Sequence, residues 1–255
     1  MKTLMLLFSV TILAVFGLNT YGQTLQDDLK KAQALYQEGK PEEATQIYLG
    51  LMEKYPKNRE AVQGWLVVNM KRIPTGELEA IKQLEELQLK YPDNTGILFF
   101  KTFIQAEYNQ IDEALKNTEK LIAVEPEDGV NWLFRGQVLE AAGRNDDALV
   151  AYQKSTELAP GNVDSWQNLA GLQAKTGKLE EAISCYSKAI GLAPNQSVFI
   201  YNRGCCYCLK GDRANALADL QKATTMNPQL KTHAQTDTDF KSLWEDADFK
   251  KIVGN

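Results

Sequence analysis

The chain has 255 residues, of which 44% are hydrophobic and 24% are charged, so it is long enough and apolar enough to bury a substantial core. Its formal net charge is −5, and it contains no long run of lysine or arginine. Because affinity for a phosphate backbone needs clustered cations, this composition argues against nucleic acid as a partner. It argues equally against attraction to an anionic membrane surface.

The segment 1–22 has a composition of its own. A short positive start precedes an apolar run over residues 4–18, and a polar segment follows at residues 19–23. This layout is typical of a signal peptide, and the small side chains of Thr20 and Gly22 favour cleavage after Gly22. We therefore predict export to the periplasm or the extracellular space, with no stable membrane insertion after cleavage. An uncleaved anchor is the alternative, although the apolar run is shorter than the roughly 20 residues of a membrane span.

The rest of the chain carries an internal period of 34 residues. Prolines recur at this spacing, and each has an alanine at one constant distance before it. A further pair, Ala44 and Pro56, keeps the same offset but stands slightly more than one period before the next pair. Two series that stay in phase over six units predict a repeat protein. The regular prolines are Pro92, Pro126, Pro160, Pro194 and Pro228, and the alanines are Ala80, Ala114, Ala148, Ala182 and Ala216.

Each unit is predicted to form two helices, as residues 163–195 illustrate. A first amphipathic stretch ends at Gly177, because glycine readily adopts the positive φ that closes a helix. A second stretch ends before Pro194, because proline cannot continue a helix. Glycine marks this inner turn in four units: Gly39, Gly143, Gly177 and Gly211. Small residues, expected to let neighbouring backbones approach, recur on the first helix: Ala32, Gly136, Ala170 and Gly204.

A helix–turn–helix of this period with small, alanine and proline signatures resembles the tetratricopeptide repeat. The resemblance covers residues 25–230 and is strongest in the last three units, although Arg135 and Arg203 stand where leucine is usual. It implies an all-α fold, a right-handed superhelical solenoid of six tetratricopeptide repeats. The signature residues of the last three units are Trp132, Gly136, Ala148, Tyr152, Pro160, Trp166, Ala170, Ala182, Tyr186, Pro194, Gly204, Tyr207, Ala216 and Pro228.

We predict three parts: a signal peptide at residues 1–22, a six-repeat array at 23–230 and a C-terminal capping helix segment at 231–255. The last segment has apolar residues at roughly helical spacing, and its pattern resembles a tail that closes tetratricopeptide arrays. A cap is expected because the outer face of a terminal repeat has no neighbour. A docking or dimerisation helix is the alternative, favoured only if Trp244 or Phe249 is exposed.

No sequence motif indicates an enzyme. The single histidine, His233, has no partner at a recognisable spacing, and no zinc-protease helix, nucleophile elbow or nucleotide-binding fingerprint occurs. We therefore expect no catalytic residue, no cofactor and no metal site. Four cysteines are expected to lie buried as free thiols, with a disulfide from Cys185 to Cys205 or Cys206 as the alternative and metal or redox chemistry by the four thiols as a less favoured one.

Tetratricopeptide arrays present the first helix of each pair to a concave groove, where peptides commonly bind. The resemblance therefore implies a binding surface on these helices. Trp65, Phe99 and Phe103 on this surface would form an aromatic patch, and aromatic anchors are typical binding hot spots. Packing of the same rings against neighbouring helices is the alternative. The partner-binding residues assigned by repeat register are Trp65, Asn69, Arg72, Phe99, Phe103, Leu133, Gln137 and Tyr201.

Taken together, the patterns predict a non-enzymatic, exported scaffold or adaptor that binds a peptide or a partner protein through its concave groove. Envelope assembly and secretion are roles that suit such a protein. The alternative is a structural component that self-associates, for example as a homodimer, through its cap or its groove.

Overall fold

The computed structural model describes residues 23–70 and 77–254, and every regular element within these ranges is helical. The predicted signal peptide lies outside the described residues. Twelve helices form six consecutive pairs, which confirms the predicted all-α repeat fold. The pairs are α1 (Gln23–Gln37) and α2 (Pro41–Lys54), α3 (Arg59–Met70) and α4 (Glu77–Lys90), α5 (Thr95–Glu107) and α6 (Ile111–Val124), α7 (Gly129–Ala141) and α8 (Asn145–Leu158), α9 (Val163–Lys175) and α10 (Leu179–Leu192), and α11 (Ser197–Leu209) and α12 (Arg213–Met226).

The helices form two compact units, one ending at Pro126 and the other beginning at Glu127. In the second unit the two helices of each pair pack together, and each second helix also packs against the first helix of the next pair. In the first unit the first helices α1, α3 and α5 also pack side by side. A single helix pair cannot bury its apolar stripe, so this packing between pairs supplies the core.

The turn inside a pair depends on one residue with a positive φ. Glycine provides it at all four positions predicted from the sequence, with φ between 74° and 85° at Gly39, Gly143, Gly177 and Gly211. In the third pair the same place is held by Asn109, with φ of 63°. Asparagine tolerates the left-handed conformation better than most side chains, so the turn is preserved without glycine.

The first helix of most pairs begins at a side chain that caps it. Asn58 accepts a hydrogen bond from the backbone N–H of Ala61, and Asn94 accepts one from Ile97. Asp128 and Asn162 cap α7 and α9 in the same way. These bonds satisfy backbone donors that have no partner inside the helix, and they fix where each first helix starts.

The arginine at position 203, where leucine is usual, has a compensating partner. Its Nε lies 2.7 Å from Oδ2 of Asp219, and its Nη2 lies 2.9 Å from Oδ1 of the same carboxylate. The bidentate pair joins α11 to α12, and the two side chains are only 21% and 10% exposed. A charge-assisted pair with this geometry replaces the apolar contact that leucine would make.

The C-terminal cap consists of three short elements and not of one continuous helix as predicted. These are α13 (Gln229–Ala234), a 3₁₀ helix (Thr238–Leu243) and α14 (Ala247–Val253). The chain restarts at Asp237 and at Asp246, whose carboxylates accept hydrogen bonds from backbone N–H groups of the element that follows. Each of these two aspartates caps the element that follows it, and so fixes where that element begins.

The cap packs against both helices of the last pair. The 3₁₀ helix contacts α11, whereas α14 contacts α12. Phe249 is buried and Trp244 is half-buried in the same apolar cluster, so the condition for a docking helix is not met. The guanidinium of Arg213 on α12 also binds the carboxylates of Asp246 and Asp248 at 2.6–2.8 Å. The segment thus closes the array, as the sequence predicts.

Candidate functional site

The candidate binding surface lies on the first helix of each pair. We call the fifth, ninth and twelfth residues of such a helix its groove positions, because these are the places that the repeat register assigns to the groove. In α7 they are Leu133, Gln137 and Glu140. They follow one another at intervals of four and three residues, so they share one side of the helix.

The helix bounds correct the register that was assigned to the second pair. The signature alanine of the second helix stands at one constant distance from the start of the first helix in the last four pairs, as from Val163 to Ala182. In the second pair, from Arg59 to Ala80, that distance is longer by two positions. The two additional residues lie after the capped start of α3, so the groove positions of this helix are counted from that start. Its groove positions begin at Gln63 and Val67, and Trp65 and Asn69 each lie two positions further along the helix.

Trp65 and Asn69 both make internal contacts in the first unit. The Trp65 side chain is buried, with 7% exposed. The amide Nδ2 of Asn69 donates to the Trp65 carbonyl at 2.8 Å and to Oγ1 of Thr45 at 3.2 Å. Arg72, the third residue assigned to this pair, lies outside the described residues. The chemistry available at this helix is instead that of Val67, whose side chain is 37% exposed.

The two phenylalanines assigned to the third pair differ in exposure. Phe99 is buried beneath a cation–π contact, with the guanidinium carbon of Arg59 at 4.4 Å from its ring centroid. It also meets Phe100 edge to face at 5.5 Å. Phe103 is half-buried. Of the predicted aromatic patch, Phe103 alone therefore offers accessible ring surface, and Val67 is a second accessible apolar side chain in the first unit.

Three of the six groove positions on α7 and α9 are polar: Gln137, Glu140 and Gln167. Leu133 is buried, but Gln137 is exposed, and Gln167 on α9 is half-buried. Neither glutamine side chain makes a hydrogen bond to any residue that the structure describes. A glutamine amide has two N–H donors and one acceptor oxygen, so each of these two side chains can both donate to a partner and accept from it.

Helices α7 and α9 are tied together at one end of these positions. Oε1 of Glu140 lies 3.5 Å from Nζ of Lys175, and its Oε2 accepts a hydrogen bond from the Tyr152 hydroxyl at 3.0 Å. Burial raises the pKa of Tyr152, with the Glu140 carboxylate as a further cause, so the hydroxyl stays protonated and remains the donor. The ion pair shows that the two polar surfaces adjoin.

The last groove positions, on α11, are covered by the C-terminal cap. The hydroxyl of Tyr201 donates to Oδ2 of Asp237 at 2.7 Å, and its ring centroid lies 5.5 Å from that of Phe240. Sγ of Cys208 lies 3.2 Å from Oγ of Ser242. Tyr201 is 3% exposed, so the assigned residue faces the chain's own C-terminal segment. The accessible positions of the second unit are therefore those of α7 and α9.

The four cysteines are buried and free of disulfides. Burial raises the pKa of Cys185 and of Cys206 to about 11, and it moves the pKa of Cys205 further in the same direction. A thiol is a good nucleophile or metal ligand only as the thiolate, so a raised pKa lowers the reactivity of these side chains near neutral pH. In the part of the chain that the structure describes, no group of three or more His, Cys, Asp or Glu side chains is placed to hold a metal ion.

Consecutive helix pairs, packed on one another within each unit, define a helical-repeat protein. The comparison with protein families names the class. Four models described as tetratricopeptide repeat match residues 28–58, 107–163, 139–199 and 199–230. Since these ranges together span more than half of the chain, it belongs to the tetratricopeptide repeat family.

Solved structures of similar fold include MamA, with 18% identity and a TM-score of 0.56 over 61% of this chain and 91% of that chain. PilF of Pseudomonas aeruginosa has 14% identity and a TM-score of 0.62, covering 87% of this chain and 97% of that one. YrrB, described as a TPR protein with an unusual peptide-binding site, has 20% identity and a TM-score of 0.51 over 82% and 91%. At such identities the likeness shows the fold alone.

No protein of curated function matches the sequence. Within residues 23–70 and 77–254, no helix has both the length and the apolar character to cross a membrane.

Proposed function

We propose that this chain is a non-enzymatic scaffold that binds an extended segment of a partner protein along the groove positions of its first helices. The observation that carries the proposal is the pair of accessible amides at Gln137 and Gln167, which make no hydrogen bond to the described residues. An extended peptide presents backbone donors and acceptors along its length, and side-chain amides can satisfy both kinds. YrrB, which shares the fold, has a peptide-binding site by its description.

The first unit has accessible groove positions of its own, and they are apolar. Val67 and Phe103 keep accessible surface, and an apolar side chain buried against either would stabilise a complex with that unit. Envelope assembly and secretion are the roles we propose for such a scaffold, because both require proteins to be held in the exported state.

The proposal is tested by selecting peptides from a random displayed library on residues 23–255. We expect a family of binders whose affinity falls about tenfold when Gln137 and Gln167 are both changed to alanine, since the loss of two ordinary hydrogen bonds costs about 1–2 kcal/mol. Gln153→Ala is the matched control, because Gln153 is an exposed glutamine on the second helix α8. The proposal fails if no peptide is enriched, or if the double variant binds as tightly as the control.

Export is part of the same proposal, and it rests on the layout of residues 1–22. We expect the protein isolated from its source to begin at Gln23, as measured by mass spectrometry of its N-terminal peptide. Recovery of chains that begin at Met1 from the cytoplasmic fraction would contradict this expectation.

A further inference from the structure

Helix α9 has a line of half-buried residues that begins at an acidic side chain. Asp164, Gln167, Gly171 and Ala174 follow one another at intervals of three, four and three residues, so they lie along one side of the helix. Gln167, Gly171 and Ala174 are the groove positions of α9, and all four residues are half-buried. We call this line the α9 strip.

The carboxylate of Asp164 has no partner among the described residues. Within residues 23–70 and 77–254 it makes no ion pair, and no donor of that part of the chain lies within hydrogen-bond distance. Three other acidic side chains of the second unit are paired: Glu140 with Lys175, Asp147 with Arg144 and Asp219 with Arg203. Burial raises the pKa of Asp164, because part of its hydration is lost and no cation or side-chain donor replaces it. The side chain is therefore partly desolvated and electrostatically unsatisfied.

Space above the middle of the strip is provided by Gly171. A Cβ added to this glycine would meet only the hydroxyl of Tyr186, at 3.7 Å, so its absence is not forced by crowding in the core. A residue without a side chain lets another backbone approach a helix closely. Gln167 lies one turn from Gly171 on the same side of α9, which places a free amide beside this space.

The surroundings limit the strip on both sides. On one side α7 adjoins it, as the ion pair between Glu140 and Lys175 shows. On the other side α11 is covered by the cap. At the C-terminal end of α9 the charge of Lys175 is already balanced by Glu140, whereas the charge of Asp164 at the other end is not. The unbalanced charge of the strip is negative, and its complement is a cation.

We propose that the α9 strip binds a basic segment of the partner, with the segment's backbone over Gly171 beside Gln167 and a lysine or arginine side chain against Asp164. This inference rests on the proposed function and names the class of partner: an extended peptide with a positive charge. A cation placed against a partly desolvated carboxylate regains the electrostatic stabilisation that the free protein lacks. Formation of this pair would be favoured at low ionic strength and weakened by salt.

The test uses the same displayed library on residues 23–255 and three variants. With the unmodified chain we expect lysine or arginine to be enriched at one position of the selected peptides. Asp164→Asn is expected to weaken the best basic peptide about fivefold, consistent with the loss of one partly buried charge pair at the surface. With Asp164→Lys we expect aspartate or glutamate to be enriched at that position instead. Asp147→Asn is the matched control, because that carboxylate is exposed and already paired with Arg144.

The outcomes separate this inference from the proposed function. If peptides are selected without a basic preference and Asp164→Asn binds them unchanged, the inference is overturned while the proposed function stands. If no peptide is selected, both are overturned. A folding defect is distinguished by urea unfolding. Asp164→Asn removes a half-buried carboxylate from the first turn of α9, so the free energy of unfolding should change by no more than about 1 kcal/mol. A larger loss would assign Asp164 a structural role and overturn the inference.

Discussion

Replacing Phe240 with alanine is expected to lower the free energy of unfolding by about 3–5 kcal/mol, the usual cost of removing a fully buried phenylalanine side chain. Phe240 has 0% of its surface exposed. Its ring lies between those of Tyr201 and Phe249, at centroid distances of 5.5 Å and 5.9 Å. It is therefore the largest apolar contact between the cap and α11 beside the polar contacts of Asp237 and Ser242, and its loss leaves a cavity that the short elements around it can fill only in part.

Urea unfolding of residues 23–255 measures this effect, with Val150→Ala as the control. Val150 is 65% exposed, so its replacement should change the free energy of unfolding by less than about 0.5 kcal/mol. A second measurement reports the location of the damage. Cys205 and Cys208 lie under the cap, so in Phe240→Ala they should react with a thiol reagent faster than in the unmodified chain. Unchanged stability and unchanged thiol reactivity would show that the cap does not hold the last pair.

The repeat period made most of the fold predictable, because it reports features that recur in every pair. Glycine at the inner turn and proline after the second helix are local requirements of backbone conformation, and the structure has a positive φ at each glycine predicted to need one. Asn109 shows the limit of a motif based on residue type, since it adopts the same conformation without being glycine. Turns and helix ends that depend on local backbone conformation, and that recur in every repeat, can therefore be predicted from the sequence alone.

The candidate site was harder to predict, because a shift of two residues moves a side chain from one side of a helix to another. Counting back from Ala80 assigned Trp65 to the groove, whereas counting forward from the capping residue Asn58 assigns Gln63 and Val67. Asn58 was the signal that could have identified the correct register. Asparagine or aspartate stands in the equivalent place before α5, α7 and α9.

Two other features depend on contacts between residues distant in the sequence. The prediction for Tyr201 did not include the 3₁₀ helix that covers it, since neither periodicity nor composition determines on which helix a terminal segment packs. Asp164 was not singled out for a related reason. Its sequence neighbourhood is that of an ordinary first turn, and only the tertiary structure shows a half-buried carboxylate without a partner.

Gly136→Ala is expected to destabilise the chain by about 1–3 kcal/mol, although alanine favours helices more than glycine does. The sequence predicted that small residues at this position let backbones approach, but at Gly136 the space is filled by the ring of Tyr152, with which an added Cβ would overlap. The ring cannot move away easily, because it is 1% exposed and its hydroxyl is bonded to Glu140.

Gly191→Ala is the matched control for that change. Gly191 lies in the last turn of α10, and an added Cβ there would meet nothing within 4 Å, so the substitution should raise the free energy of unfolding by about 0.5 kcal/mol, part of the gain at a helix interior. The two variants make the same chemical change in helices of one unit, and they should move the urea midpoint in opposite directions. If both raise it, the Tyr152 ring yields to the new methyl group, and close packing at this position is not what requires glycine.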